Sequence, residues 1–319
     1  MTRFQATAPG KIILFGEHAV VYNRPAIAVP VLNVRARAEL EPTTDRDGLQ
    51  IVAPDLDRNY RLAEAEPDDA LALIIRSTLA YLDQSKPPSA ILTVSSTIPL
   101  GRGLGSGAAI STSIARVLGH FYGRDLAPAE LSSLVYEVEK LYHGTPSGID
   151  NTVVAFEQPV YFVRQQPIER MPVARPFTLV VGDTGRVSPT HKAVGYVREQ
   201  WQADPAGYEQ YFDEAGRIAA AARELIEQGR SIAKLGQLMD ENQSVLEKMG
   251  VSSPELEQLI QVARQAGALG AKLSGAGWGG NMIALVEPQP EAIRAVTQAL
   301  TQSGATGVIV TEVDGIHHP

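Results

Sequence analysis

The chain has 319 residues, 44% apolar and 20% charged, which excludes a disordered or fibrous protein and provides core enough for two globular domains. A formal charge of −8 at pH 7 excludes a basic surface built for nucleic acid or anionic lipid. The absence of cysteine excludes disulfides, thiolate metal sites and a cysteine nucleophile, no apolar run is long enough to span a membrane, and the run Ile12–Phe15 is too short for a signal peptide, so a cytoplasmic location is expected.

Residues 1–40 alternate like strands, punctuated at Pro9-Gly10 and Asn23-Arg24-Pro25. Asp68 and Asp69 precede ALALIIRSTLAYL and predict a capped amphipathic helix. ILTVSSTI (91–98) predicts a strand that runs through Pro99 into a glycine-rich loop, followed by a helix over Ala108–Phe121. Pro128 opens a further helix that Gly144 is expected to stop. Strands follow at 158–163 and 177–181, with Pro167, Pro172 and Pro176 between them. A domain boundary is expected there, giving domains of 1–170 and 171–319. The second half predicts helices at 189–201, 205–228, 231–249 and 254–267, then a strand pair near 281–286 and 307–312 flanking a helix at 291–303. Helices and strands mix without regular βαβ alternation, so the fold class is α+β.

Three segments carry polar residues in patterns suited to chemistry. Four of the seven residues Gly101–Gly107 are glycine, as are four of the six residues Gly275–Gly280. Such loops bring backbone N–H groups close to an oxyanion, and the first opens a helix whose N-terminus favours phosphate. GRGLGSGAA lacks the lysine of a Walker loop, and by itself reads equally well as a phosphate cradle or a tight turn. APGKIILFGEHAVVY (8–22) embeds Lys11, Glu17 and His18 among apolar residues, a pattern that a surface hairpin with solvated tips also produces. EKLYHGTPSGID (139–150) places Glu139 in the last turn of a helix and Asp150 after a Pro-Ser-Gly turn. Two such carboxylates serve a metal and a proton transfer, or a cap and a solvated loop.

Taken in order, APGKIILFGEHAVV, PLGRGLGSGAAIS, HGTPSGID and KLSGAGWGGNMIAL resemble the motif set of the GHMP kinases, spanning residues 8–286. The EHAVVYNRPAIAV continuation and the HGTPSGID string are most similar to the mevalonate kinase branch, whereas phosphomevalonate kinases usually carry GEYAVV where His18 stands here. The resemblance implies a two-domain fold, with an N-terminal ribosomal-protein-S5-like domain and a C-terminal ferredoxin-like domain. It implies ATP and Mg²⁺ as cofactors, mevalonate as substrate, and phosphorylation of its C5 hydroxyl in the mevalonate route to isoprenoids. Another GHMP small-molecule kinase, phosphomevalonate kinase first, or a non-catalytic nucleotide-binding relative are the alternatives. Neither a nucleic-acid partner nor a membrane is expected. Dimers are frequent in the family, which makes a homodimer an expectation.

By position, the resemblance makes Asp150 the catalytic base and Lys11 the cation that stabilises the ionising oxygen. Glu139 and Ser106 become magnesium ligands. Pro99, Gly101, Arg102, Gly103, Leu104, Gly105, Ser106, Gly107 and Ala108 form the ATP phosphate loop. Glu17 and His18 fall on the substrate side, with Thr184 and Thr190 of GDTGRVSPTHKAV and with Ser274 and Ala276 of the C-terminal loop (272–281). Two departures stand out. The family's GLGSSAA has Gly107 in place of its second serine, and GAGGGGC has Trp278 and Asn281 in place of a glycine and the cysteine. His317 and His318, in a tail without neighbouring ligands, are not expected to bind metal.

Overall fold

The computed structural model describes residues 3–44, 48–143, 146–188 and 190–315, so the expectations resting on Gly144, His317 and His318 lie outside the described residues. The first part of the chain forms β1 (Phe4–Phe15), β2 (Ala26–Pro42), β3 (Leu49–Ala53), β4 (Arg58–Arg61), α1 (Ala70–Tyr81), β5 (Ala90–Ser96), α2 (Ser106–Phe121), α3 (Pro128–His143) and α4 (Ile149–Phe156). There follow β6 (Val160–Phe162), β7 (Glu169–Arg170), β8 (Phe177–Asp183), α5 (Thr190–Ala203), α6 (Pro205–Glu227), α7 (Ile232–Lys248), α8 (Pro254–Gln265), β9 (Gly270–Ser274), β10 (Asn281–Val286), α9 (Pro290–Gln302) and β11 (Gly307–Val313). Among the described residues no helix is long and apolar enough to cross a membrane.

Helix starts follow their capping chemistry. Asp69 accepts from Ala72 N at 2.9 Å and begins α1; Ser231 and Ser253 cap α7 and α8 in the same way. Pro205 and Pro254 occupy the first turn of α6 and α8, where a missing N–H costs nothing.

Two compact units divide the chain, and they are not consecutive in sequence. Unit 1 is Met1–Gly10, Val34–Pro99 and Gly105–Glu157; unit 2 is Lys11–Asn33, Leu100–Leu104 and Gln158–Pro319. The expected single division near residue 170 treats the domains as consecutive. In the structure the chain passes between units inside β1, inside β2 and at both ends of Leu100–Leu104, and last at Glu157–Gln158.

In unit 1 the sheet runs β4-β3-β5-β2, with β3 parallel to β5 and the other pairs antiparallel. Leu92 faces Leu40 on one side and Ile51 on the other, all fully buried. Helix α2 packs against β5 and against α1, α3 and α4, contributing Ile114, Val117 and Leu118 to the core. Each such side chain contributes about 1.5–3 kcal/mol of transfer free energy.

Unit 2 contains an antiparallel sheet in the order β11-β8-β10-β9. The succession of β8, helices, β9, β10, α9 and β11, with the last strand beside the first, is the ferredoxin-like arrangement. Residues 26–28 of β2 pair with β6 in the same unit. The segment after β1 is fastened to α6, where Tyr22 stacks on Phe212 with centroids 4.0 Å apart and Arg24 Nε donates to Asp213 at 3.0 Å.

Two expectations need correction, and one open reading is decided. The Pro9-Gly10 break is absent, because β1 continues through it and changes units there. Of the two readings left open for Asp150, the solvated loop is excluded, because the residue lies in the first turn of α4, just after the Pro-Ser-Gly turn. The strands at 281–286 and 307–312 both pair with β8 and not with each other.

Candidate active site

Unit 1 gathers the carboxylates and the helical end of the glycine-rich loop. Gly105, at φ 72, starts α2, and no side chain caps the helix. The amides of its first turn therefore remain available to an anion. A Cβ at Gly107 would stand 3.5 Å from Glu139 Oε1, an ordinary contact distance, so α3 delivers the Glu139 carboxylate beside the first turn of α2. Glu139 is buried at 9% exposure, one turn from the end of α3. Half-buried Asp150 occupies the first turn of α4, where the helix dipole favours a carboxylate. The helix begins at Gly148, whose φ of 90° is accessible to glycine with little strain. It is pinned to α3 by Asn151, whose Nδ2 donates to Ser132 Oγ at 2.8 Å and to the Ser132 carbonyl at 3.0 Å.

Unit 2 gathers the first and last motifs. Lys11 is buried on β1, and its backbone N–H donates to the Leu104 carbonyl at 2.9 Å, joining the strand to the glycine-rich loop. Gly16 turns the chain at φ 90; any Cβ there would meet the Pro25 carbonyl and lie 2.6 Å from Ala26 Cα. Glu17 is wholly buried, with Oε1 ion-paired to the equally buried Lys272 and Oε2 lacking a hydrogen-bond partner. Burial pushes the Glu17 carboxyl up and Lys272 opposes that shift; burial pushes the Lys272 ammonium down and Glu17 opposes it. His18, at φ 59, donates from Nε2 to the Ala276 carbonyl at 3.0 Å. Burial lowers its pKa to about 4, so near neutral pH the ring is uncharged and Nδ1 is an acceptor.

Ser274, Thr184 and Arg102, also expected at the site, have defined partners, and Thr190 is exposed. Ser274 Oγ accepts from Ile13 N at 3.1 Å and donates to the Ile13 carbonyl at 2.8 Å. Thr184 Oγ1 donates to the Gly280 carbonyl at 2.8 Å, whereas Thr190 is exposed at the start of α5. Arg102 lies 3.6 Å from Asp183 through Nε, its carbonyl accepts from Asn281 Nδ2, and its Nη1 is buried without a hydrogen-bond partner. Trp278, at φ 55, donates from Nε1 to the Gly250 carbonyl at 2.8 Å, and its ring lies 5.1 Å from that of Tyr196.

The sequence matches the GHMP kinases N terminal domain over residues 72–158 and the GHMP kinases C terminal domain over residues 218–311. It is 33% identical to a mevalonate kinase of Thermococcus sibiricus, over 96% of this chain and 95% of that relative. It is 34% identical to a mevalonate kinase of Pyrococcus horikoshii, over 95% of this chain and 94% of that relative. The chain belongs to the mevalonate kinases of the GHMP family. A crystal structure of L. major mevalonate kinase in complex with R-mevalonate matches it with a TM-score of 0.84 and 28% identity, covering 98% of this chain and 97% of that one.

For a mevalonate kinase, two features of the site escaped the sequence reading. Lys272 sits in a five-residue strand that reads as the edge of a glycine loop, yet it is the buried partner of Glu17. Asn151 is adjacent in sequence to Asp150, and only the packing of α4 on α3 reveals what it holds. The signal for Lys272 was present in principle: a lysine flanked by Ala271 and Leu273 in a buried strand requires an acid.

Proposed function

We propose that this mevalonate kinase transfers the γ-phosphoryl group of ATP to the C5 hydroxyl of mevalonate, giving 5-phosphomevalonate and ADP. The observation that carries the reading is the likeness, over nearly the whole chain, to relatives named mevalonate kinase. Phosphoryl transfer requires little covalent chemistry from a protein, so positioning and charge stabilisation dominate. The oxygen–phosphorus bond forms as the hydroxyl proton passes to Asp150, and the bond from the γ-phosphorus to the β-bridging oxygen breaks, with ADP leaving. General-base assistance of this kind contributes about 10²–10⁴-fold. Lys11 stabilises the negative charge developing on the attacking oxygen. His18, uncharged and donating through Nε2, is suited to accept a hydrogen bond at Nδ1 from a substrate hydroxyl rather than to pair with a carboxylate.

The amides of the first turn of α2 and the Arg102 guanidinium, with its unpartnered Nη1, support nucleotide phosphate binding. Among the described residues no cluster of three or more His, Asp or Glu side chains could by itself hold a metal ion. One carboxylate beside a phosphate-binding helix end nevertheless fits Mg²⁺, which is usually bound by one or two carboxylates, substrate phosphates and water. Glu139 would hold it with Ser106, and bound magnesium would neutralise charge on the β- and γ-phosphates. An ADP-release assay across mevalonate, phosphomevalonate, galactose and homoserine, with products identified by phosphorus NMR, tests the reading. Turnover of mevalonate to a single phosphomonoester is expected. Turnover of phosphomevalonate without mevalonate overturns it.

A further inference from the structure

Lys272 and Glu17 form an ion pair in which both side chains have no solvent exposure, 255 residues apart in sequence. Lys272 Nζ also donates to the Leu273 carbonyl at 2.5 Å. Removing two charges from water is costly, and apolar residues of similar volume are often as stable or more so. Fold stability alone is therefore a weak reason for the pair, and the segments it joins give a stronger one.

Those segments are Ile13–His18, leading into the motif assigned to the substrate, and Lys272–Ala276, leading into the C-terminal glycine loop. Three links join them: Ser274 Oγ bridges the Ile13 N–H and carbonyl, Lys272 pairs with Glu17, and His18 Nε2 donates to the Ala276 carbonyl. Only the middle link uses a side chain from both segments. Its strand is itself registered, since Leu273 N donates to Gln243 Oε1 at 2.9 Å and Lys272 faces Ile283 of β10. On the other segment, Gly16 N donates to Asn242 Oδ1 at 3.4 Å. Glu17 lies directly before His18, whose positive φ is an uncommon conformation for a residue with a side chain and needs support from its surroundings.

We propose that Lys272 is a positioning residue for the phosphoryl acceptor: through Glu17 it fixes the backbone at His18 and the orientation of that ring, and so sets the affinity for mevalonate without touching it. This rests on mevalonate being the acceptor and on His18 lying on its side of the reaction. Glu17 then acts as a strut, consistent with its complete burial, and His18 carries the recognition.

The test compares Lys272→Met with the double variant Glu17→Gln/Lys272→Met. The single variant strands a buried carboxylate and should lower the thermal midpoint. The double variant buries no unpaired charge and should recover most of that loss. In both, the KM for mevalonate should rise at least about 10-fold while the KM for ATP stays within about 2-fold, the signature of lost acceptor positioning. The His18 imidazole, assigned by NMR with a His18→Asn control, titrates at about 4 in the native protein and should move toward 6.5 in the double variant. A double variant that regains its midpoint with a native KM for mevalonate and an unmoved His18 titration overturns the proposal, because the pair then serves the fold alone. An equal rise in both KM values overturns it as well. Native protein that does not phosphorylate mevalonate instead sinks the functional reading, and the His18 titration then still decides whether Lys272 orients that ring.

Discussion

Asp150 and Lys11 are the residues on which the chemistry is expected to turn, and each can be altered with little change in volume. Asp150→Asn keeps the shape of the first turn of α4 and removes the proposed base. The kcat should fall at least about 10²-fold with little change in the KM for ATP, and a near-native kcat would remove Asp150 from the mechanism. Lys11→Met should likewise lose kcat, whereas a pure rise in the KM for ATP would make Lys11 a phosphate clamp. His18 makes a second prediction, on stability. Its folded pKa of about 4 lies below the ordinary 6.5, so between these values the unfolded chain binds a proton that the folded chain refuses. The His18 contribution is thus complete above pH 6.5 and is lost as the pH falls toward and through 4. Urea unfolding at a series of pH values should show the slope of stability against pH shallower by about one proton in His18→Asn across that window. An unchanged slope would mean that His18 is not held neutral by burial.

At the scale of elements, α2 and α3 bring Glu139 to Gly107, and this contact tests the magnesium assignment. Glu139→Gln should raise the Mg²⁺ concentration needed for half-maximal rate, with a smaller effect on mevalonate binding. Gly107→Ser has room, because the added Cβ meets Glu139 Oε1 at 3.5 Å, and it should lower that requirement or leave it unchanged. Magnesium titrations of both variants check this, and an unaltered dependence in Glu139→Gln returns Glu139 to a packing role. The same elements show what the sequence could reveal. The capped helices α1, α6, α7 and α8 were legible because Asp or Ser caps and first-turn prolines leave a local signature. Helix α4 was not: it is short, begins at a glycine, and Asn151 and Thr152 in its first half read as loop until they are seen bonded to Ser132 and Gly148. Strand β9 was missed because every one of its five residues is buried, so it shows no alternation, and its lysine reads as a surface residue.

The interleaving of the two units is a property of the whole molecule that no local pattern encodes. The motifs identified the family and their order along the chain, but a contiguous division near residue 170 was the simplest reading of a proline-rich stretch. Unit 2 needs Lys11–Asn33 and Leu100–Leu104 as well as everything after Glu157. A fragment of residues 158–319 would lack Glu17 opposite Lys272, Tyr22 against Phe212 and the β2 residues that pair with β6. An unpaired buried lysine alone costs several kcal/mol, comparable to the whole stability of many domains. The fragment should therefore be insoluble, or lack near-UV circular dichroism and a cooperative thermal transition. A soluble fragment that unfolds cooperatively would show that unit 2 is autonomous after all.

Trp278 places a fluorophore on the C-terminal glycine loop itself. The only other tryptophan, Trp201, lies on α5 with its ring 5.3 Å from Tyr22 and its Nε1 bonded to Glu209. In a Trp201→Phe background, emission excited at the red edge would come from Trp278 alone, whose ring rests on Tyr196 and donates to the Gly250 carbonyl. Titrating ATP or mevalonate should then shift or quench that emission for whichever ligand engages the loop. The protein would thus supply its own label-free binding assay.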